Sequence, residues 1–153
     1  MSDIEELYKE LEKKTKLPSF KEIDEEFEIS DIEEVGFFLR KIRRKMIEKI
    51  DSFGKILESL LHPETDFASM FECKDFNEQD MKEAIGLYKR IKIIERNASM
   101  LELECDYRSE AVFINDTYTQ WKGMKGKLLS IIKKLRQCWE KEESKIKFES
   151  YVG

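Results

Sequence analysis

The side chains best suited to nucleophilic or metal chemistry are one histidine and three cysteines, His62, Cys73, Cys105 and Cys138. His62 and Cys73 are close enough in sequence to meet as a base and a thiol, but no nucleophile motif surrounds either. The chain has no Cys-x-x-Cys or His-x-x-x-His pair, and one histidine cannot supply the paired Glu-x-x-His ligands of a di-metal bundle. We predict no enzyme activity, no catalytic or metal-binding residues and no cofactor, with Cys105 and Cys138 as small apolar core residues.

Two other patterns could also carry chemistry. The carboxylates Glu102, Glu104 and Asp106 alternate and could divide acid and base roles. Residues two apart point in different directions on a helix, so a solvated face is the favoured interpretation. The segment at 123–127, Gly-Met-Lys-Gly-Lys, lacks the spacing of a phosphate-binding loop and lies within a helical pattern. An enzyme whose site forms between helices is the alternative that the sequence leaves open.

Basic side chains concentrate in one stretch, Arg40, Lys41, Arg43, Arg44 and Lys45. On a helix, Arg40 and Arg44 share one side and Lys41 and Lys45 share another. These five residues form a candidate phosphate-binding patch for nucleic acid or an anionic membrane surface. Two alternatives stay open, an ordinary solvated helix surface and a docking surface for acidic residues near the N-terminus.

Charge is unevenly distributed along the chain. The net charge is -5 overall, but residues 1–34 hold 13 acidic and 5 basic side chains. We therefore predict an acidic N-terminal arm with short helices at 1–30, ahead of a mildly basic helical bundle at 31–149. The first residues are too charged for a signal peptide, and no apolar run suits a transmembrane segment. We expect an intracellular protein, cytoplasmic or alternatively nuclear.

The elements that must position these residues are long helices. Charged residues make up 40% of the chain and Gly and Pro are few, which is typical of solvated helices. Apolar residues recur in steps of 3 and 4 along three stretches, which predicts three helices packed along their lengths. We predict an all-α fold, an antiparallel bundle of three long helices with short N-terminal helices packed across it. The three repeats comprise Ile32, Val35, Leu39, Ile42, Met46, Ile50, Phe53, Leu57 and Leu60; Ala84, Leu87, Ile91, Ile94, Ala98, Leu101 and Cys105; and Ala111, Ile114, Tyr118, Trp121, Lys125, Leu128, Ile132, Leu135 and Trp139.

Helix starts are indicated by capping patterns. Ser-x-x-Glu boxes at Ser2, Ser19 and Ser30 predict three starts, the last opening a helix over 31–61. Asn77 is the predicted cap of the next helix, which runs to about residue 106. The last helix begins either near residues 106–111, which we prefer, or after residues 115–116.

Four apolar residues, Ile93, Met100, Leu103 and Tyr107, lie outside the second repeat. A helix that is apolar on two sides is either central in its bundle or offers one side to a partner. These four are our candidate partner interface. We predict a non-enzymatic helical protein–protein interaction or assembly module that binds another protein or a second copy of itself. The alternative is nucleic-acid or membrane-surface binding through the basic patch, restrained by the acidic arm.

Overall fold

The computed structural model describes residues 3–63 and 66–141, and within these ranges the chain contains helices and no strand. The elements are α1 (Asp3–Lys14), α2 (Phe20–Phe27), a 3-10 turn (Ile29–Asp31), α3 (Phe38–Leu61), α4 (Phe67–Cys73), α5 (Glu78–Glu104) and α6 (Tyr107–Glu140). The long helices α3, α5 and α6 pack against each other with short N-terminal helices, which confirms the predicted all-α bundle. Among the described helices, none combines the length and apolar character needed to cross a membrane.

The chain divides into two compact units, and each long helix contributes a segment to both. Of the described residues, unit 1 comprises 3–52 and 92–123, and unit 2 comprises 53–63, 66–91 and 124–141. Residues 3–30 of the predicted acidic arm lie within unit 1. The arm boundary at residue 30 stays a prediction, and positions 142–149 of the predicted bundle lie outside the described residues.

Each unit has its own apolar core. The long-helix residues buried in unit 1 are Phe38, Leu39, Ile42, Met46, Ile50, Ile94, Ala98, Leu101, Ala111, Phe113, Ile114, Tyr118 and Trp121. Those buried in unit 2 are Leu57, Leu60, Ala84, Leu87, Ile91, Met124, Leu128, Ile131, Leu135 and Cys138. The second predicted repeat is therefore confirmed from Ala84 to Leu101.

The N-terminal helices follow their sequence signals. Ser19 caps α2 by accepting the Glu22 backbone N–H at 3.2 Å, as its capping box predicts. The Phe27 ring packs 5.7 Å from that of Trp121 in unit 1. The buried Tyr8 hydroxyl donates to the Pro18 carbonyl at 2.6 Å, which holds α1 against the segment before α2. The predicted box at Ser2 lies outside the described residues.

The helix start predicted at Ser30 is wrong. The chain forms a 3-10 turn there, and α3 begins only at Phe38. The Ser30 N–H donates to the Asp24 carboxylate at 2.7 Å, which ties the 3-10 turn to α2. Glu28 and Phe37 both have positive φ, 54° and 53°. A left-handed residue cannot continue a right-handed helix, which is why α3 cannot extend back to residue 31. Val35, predicted to lie in the first repeat, is exposed.

The ends of α5 agree with the sequence except at the last turn. Asn77 and Asp80 cap α5 reciprocally, each side chain accepting the other's backbone N–H at 2.8 and 3.0 Å. The helix ends at Glu104 because Cys105 is left-handed, with φ 54°. Cys105 is exposed, so its predicted core position is wrong. The last helix starts at Tyr107, the earlier of the two predicted options.

The buried repeat of α6 agrees with the predicted one in unit 1 and is displaced from it in unit 2. Ala111, Ile114, Tyr118, Trp121, Leu128 and Leu135 are buried as predicted, but from Met124 onward the alternate buried positions are one residue earlier. Thr117, Met124, Ile131 and Cys138 are buried, whereas Lys125 and Trp139 are exposed. Both series alternate steps of 3 and 4, so spacing alone does not distinguish them. Lys125, the one lysine of the predicted series, lies on the solvent-facing side of α6.

Candidate partner interface and ion network

An ion network joins the three long helices within unit 1. Arg43 of α3 donates from Nε to both carboxylate oxygens of Glu110 on α6, at 3.1 and 2.7 Å. Its Nη1 donates to Glu102 of α5 at 2.8 Å. Arg44 donates to both oxygens of the same Glu102, each at 2.9 Å. Two arginines and two carboxylates therefore balance in charge and are linked by charge-assisted hydrogen bonds.

The network contains a buried part and a solvent-facing part. The side chains of Arg43 and Glu110 are only 2% and 5% exposed. Arg43 Nη2 is buried and finds no hydrogen-bond acceptor among the described residues. Glu102 is partly exposed, and hydrogen bonds from Arg44 and then Arg43 lower its pKa to about 2. The buried pair fixes how α3 meets α6, because neither charge can lose its partner without a large desolvation cost.

The network takes Arg43 out of the predicted phosphate-binding patch. Its guanidinium is buried against carboxylates and cannot reach a phosphate, because a buried cation must be paired to be tolerated. Arg44 forms the bidentate pair with Glu102, and the Arg40 guanidinium lies 4.6 Å over the Phe37 ring. Lys41 and Lys45 donate to the backbone carbonyls of Glu34 and Glu28, at 2.8 and 3.2 Å. Every member of the patch thus has a partner within unit 1.

The acidic arm contacts the body of unit 1 through polar groups of α2 as well as through its buried apolar side chains. The Glu26 carboxylate accepts from the Trp121 indole N–H at 2.8 Å, and its carbonyl accepts from Lys49. The Glu22 carboxylate accepts from the Tyr118 hydroxyl at 3.2 Å. Two carboxylates of the acidic arm therefore accept hydrogen bonds from aromatic side chains of α6, while lysines of α3 donate to backbone carbonyls of the arm.

The four predicted interface residues are all exposed in unit 1. Ile93 and Met100 are two turns apart on one side of α5, and Leu103 follows within one turn of Met100. Leu103 is the most exposed of them, at 88%. Tyr107 does not continue this helix, because the chain turns at Cys105 and Tyr107 is the first residue of α6. Val112 of α6, 59% exposed, is a further apolar residue that the sequence prediction missed. We call these five residues the apolar face.

A groove of about 230 Å³ between α5 and α6 contains part of the apolar face. Leu101 and Phe113 are nearly buried and line the groove together with the exposed Met100 and Val112. The remaining lining residues are polar: Asn97, Glu104, Ser109, Asp116, Thr117 and Gln120. The groove can therefore receive an apolar side chain and satisfy polar groups around it.

The remaining chemistry-bearing residues lie in unit 2. His62 is exposed, Cys73 is half-buried, and Cys138 is buried. Burial raises the pKa of the Cys138 thiol to about 11, with the hydrogen bond to Asp75 as the next cause. Within residues 3–63 and 66–141, no three His, Cys, Asp or Glu side chains are grouped to hold a metal ion.

Comparison with models of protein families, with curated proteins and with solved structures finds no match to this chain.

The residues missed by sequence reasoning had weak signals. Glu110 and Val112 lie in a short stretch, 110–114, whose alternation resembles a strand more than a helix. The run of basic residues around Arg43 predicts a solvated position for it, because a cation surrounded by cations indicates a solvated face. Its partners are 59 and 67 residues away in sequence, and local spacing carries no information about them.

Proposed function

We propose that this chain is a non-enzymatic helical module that binds another protein, or a second copy of itself, through the apolar face of unit 1. The observation that supports it is the exposure of Ile93, Met100 and Leu103 along the last part of α5 and of Tyr107 and Val112 at the start of α6. Single exposed apolar residues are normal on a protein surface. Several gathered on adjoining helix segments, two of them in one groove, are typical of an interaction site.

The experiment compares capture of partners by the intact chain and by two variants. Ile93→Ser/Leu103→Ser removes apolar surface from the apolar face, and Leu129→Ser removes an exposed leucine from unit 2. Tagged proteins are incubated with nuclease-treated native extract, and the captured proteins are quantified by mass spectrometry. Light scattering on the purified proteins measures self-association. We expect a stoichiometric partner or a dimer that the double variant loses and Leu129→Ser retains.

The opposite result would be equally clear. A monomer that captures nothing above background, or a partner retained equally by both variants, would contradict the proposal. The double variant should stay folded, because both side chains are already in water. Circular dichroism on the same samples checks this.

Phosphate binding through the basic patch is the weaker proposal. It would have to use side chains that already bond within unit 1, and it cannot use Arg43. Binding that falls steeply with salt and is abolished by nuclease would favour it over the apolar face.

A further inference from the structure

We propose that the groove between α5 and α6 binds a short amphipathic helix whose polar flank carries lysine or arginine. This inference rests on the proposed function, because it names the class of partner for the same face. Three properties of the groove support it: its lining, its length and its charge.

The lining suits helical side chains. Leu101 and Phe113 provide an apolar base, and Met100 and Val112 add apolar atoms that are still more than half exposed. An amphipathic helix presents apolar residues at i, i+3, i+4 and i+7, which is how it fills a groove between two helices. A peptide that binds by adding a β-strand would need an open sheet edge, and the described residues contain no strand.

The length of the groove suits two to three turns of helix. The lining residues run from Asn97 to Glu104 on α5 and from Ser109 to Gln120 on α6. At 1.5 Å per residue these spans are roughly 10 and 16 Å, which match a helix of about 7 to 11 residues. A helix that short is marginal alone in water, so the partner segment would fold on binding or belong to a larger helix.

The negative charge of the groove favours a partner helix with a basic polar flank. Glu104 and Asp116 are the charged residues lining the groove, and no lysine or arginine lines it. Both carboxylates are exposed, and neither forms an ion pair within the described residues. Glu102, two residues before Glu104, is already neutralised by Arg43 and Arg44. Two unbalanced negative charges therefore border the apolar base, and a basic flank complements them.

The test uses two synthetic helical peptides with identical leucine positions. One carries lysines on its polar flank and the other carries glutamates, and fluorescence anisotropy measures their binding to the full chain. We expect the lysine peptide to bind about 10-fold more tightly at low ionic strength. The difference should narrow as added salt screens the exposed charges.

Variants of the chain separate charge from shape. Glu104→Gln/Asp116→Asn should bring the two peptides to similar affinity, because it removes the charges and keeps the shape. Met100→Ser/Val112→Ser should weaken both peptides about equally. Glu83→Gln on the unit 2 part of α5 is the matched control and should leave both affinities unchanged.

Several results would overturn the inference. Equal affinity of the two peptides for the unaltered chain would contradict the basic flank inferred for the partner helix. It would not contradict the proposed function. Failure of both peptides to bind with a Kd below about 1 mM would exclude the groove as a helix site. A dimer abolished by Met100→Ser/Val112→Ser would assign the groove to a second copy of the chain. Loss of partner capture in Ile93→Ser/Leu103→Ser with no peptide binding would separate the two proposals.

Discussion

The Arg43 guanidinium contacts the Glu110 carboxylate at 2.7 Å, with both side chains almost entirely buried. This pair connects α3 to α6 in unit 1, and Glu102 connects the same arginine to α5. Buried ion pairs add little net stability over apolar residues of similar size, but removing one partner is costly. The pair therefore favours one arrangement of α3 against α6 in unit 1, since another arrangement would leave a buried charge unpaired.

Glu110→Ala should lower the free energy of unfolding by about 3–5 kcal/mol, because it leaves the buried Arg43 without its closest carboxylate. Arg43→Met/Glu110→Leu should recover at least half of that loss, because it removes both buried charges together. Urea unfolding at neutral pH measures both variants. Glu104→Ala, an exposed carboxylate on α5, is the control and should change stability by less than about 0.5 kcal/mol. Equal losses in Glu110→Ala and Glu104→Ala would show that the pair is not buried.

The register of α6 gives a second prediction. Met124→Ala should lower the stability by about 2–5 kcal/mol, because Met124 is fully buried in unit 2. Lys125→Ala should change it by less than about 0.5 kcal/mol, because Lys125 is exposed. Thermal or urea unfolding of the two variants provides the comparison. A larger loss in Lys125→Ala than in Met124→Ala would restore the register predicted from the sequence.

The helices differ in how much of their structure the sequence could predict. The class of fold, the caps at Ser19 and Asn77 and the core of α5 follow from local periodicity and hydrogen bonding. The register of α6 does not, because both interleaved repeats have coiled-coil spacing. The α3 start also escaped prediction, because the left-handed residue directly before it is Phe37, which is not a glycine. The four candidate interface residues are exposed, in keeping with their places outside the second repeat, but whether they bind a partner stays a prediction. Val112 and the groove could not be predicted, because they depend on how α5 turns into α6.

The cysteines should differ sharply in reactivity. Cys105 is exposed at the turn before α6, whereas Cys138 is buried with a pKa raised from 9.0 to about 11. A rise of that size reduces the thiolate fraction about 100-fold near neutral pH, and burial adds steric protection. A coloured thiol reagent should modify Cys105 first and Cys138 only on unfolding. Cys105→Ser and Cys138→Ser identify each phase of the reaction. A fast phase that survives Cys105→Ser and disappears in Cys138→Ser would contradict the burial of Cys138.

A last prediction concerns Glu95 of α5 in unit 1. Burial of its carboxyl raises its pKa, and the hydrogen bond with the Asp51 side chain of α3 raises it further. Lys92, whose ammonium lies 3.0 Å from the Glu95 carboxylate, acts in the opposite direction. The folded chain thus holds the Glu95 proton more tightly than the unfolded chain does. This contribution to stability is fully present below the ordinary value of 4.5 and is lost as pH rises through the folded pKa.

Glu95→Gln should remove the loss of stability that accompanies ionisation of Glu95. Glutamine keeps the shape of the side chain and a donor toward Asp51, and it cannot ionise. Relative to the unaltered chain, the variant should gain stability as pH increases above the ordinary value of 4.5, until Glu95 is ionised in the folded chain as well. Urea unfolding across this range measures the difference, with Glu83→Gln on the exposed side of α5 as the control. A Glu95→Gln difference that stays constant with pH would show that Glu95 titrates alike in the folded and unfolded chains. In that case the Asp51 contact would not hold a proton between α3 and α5.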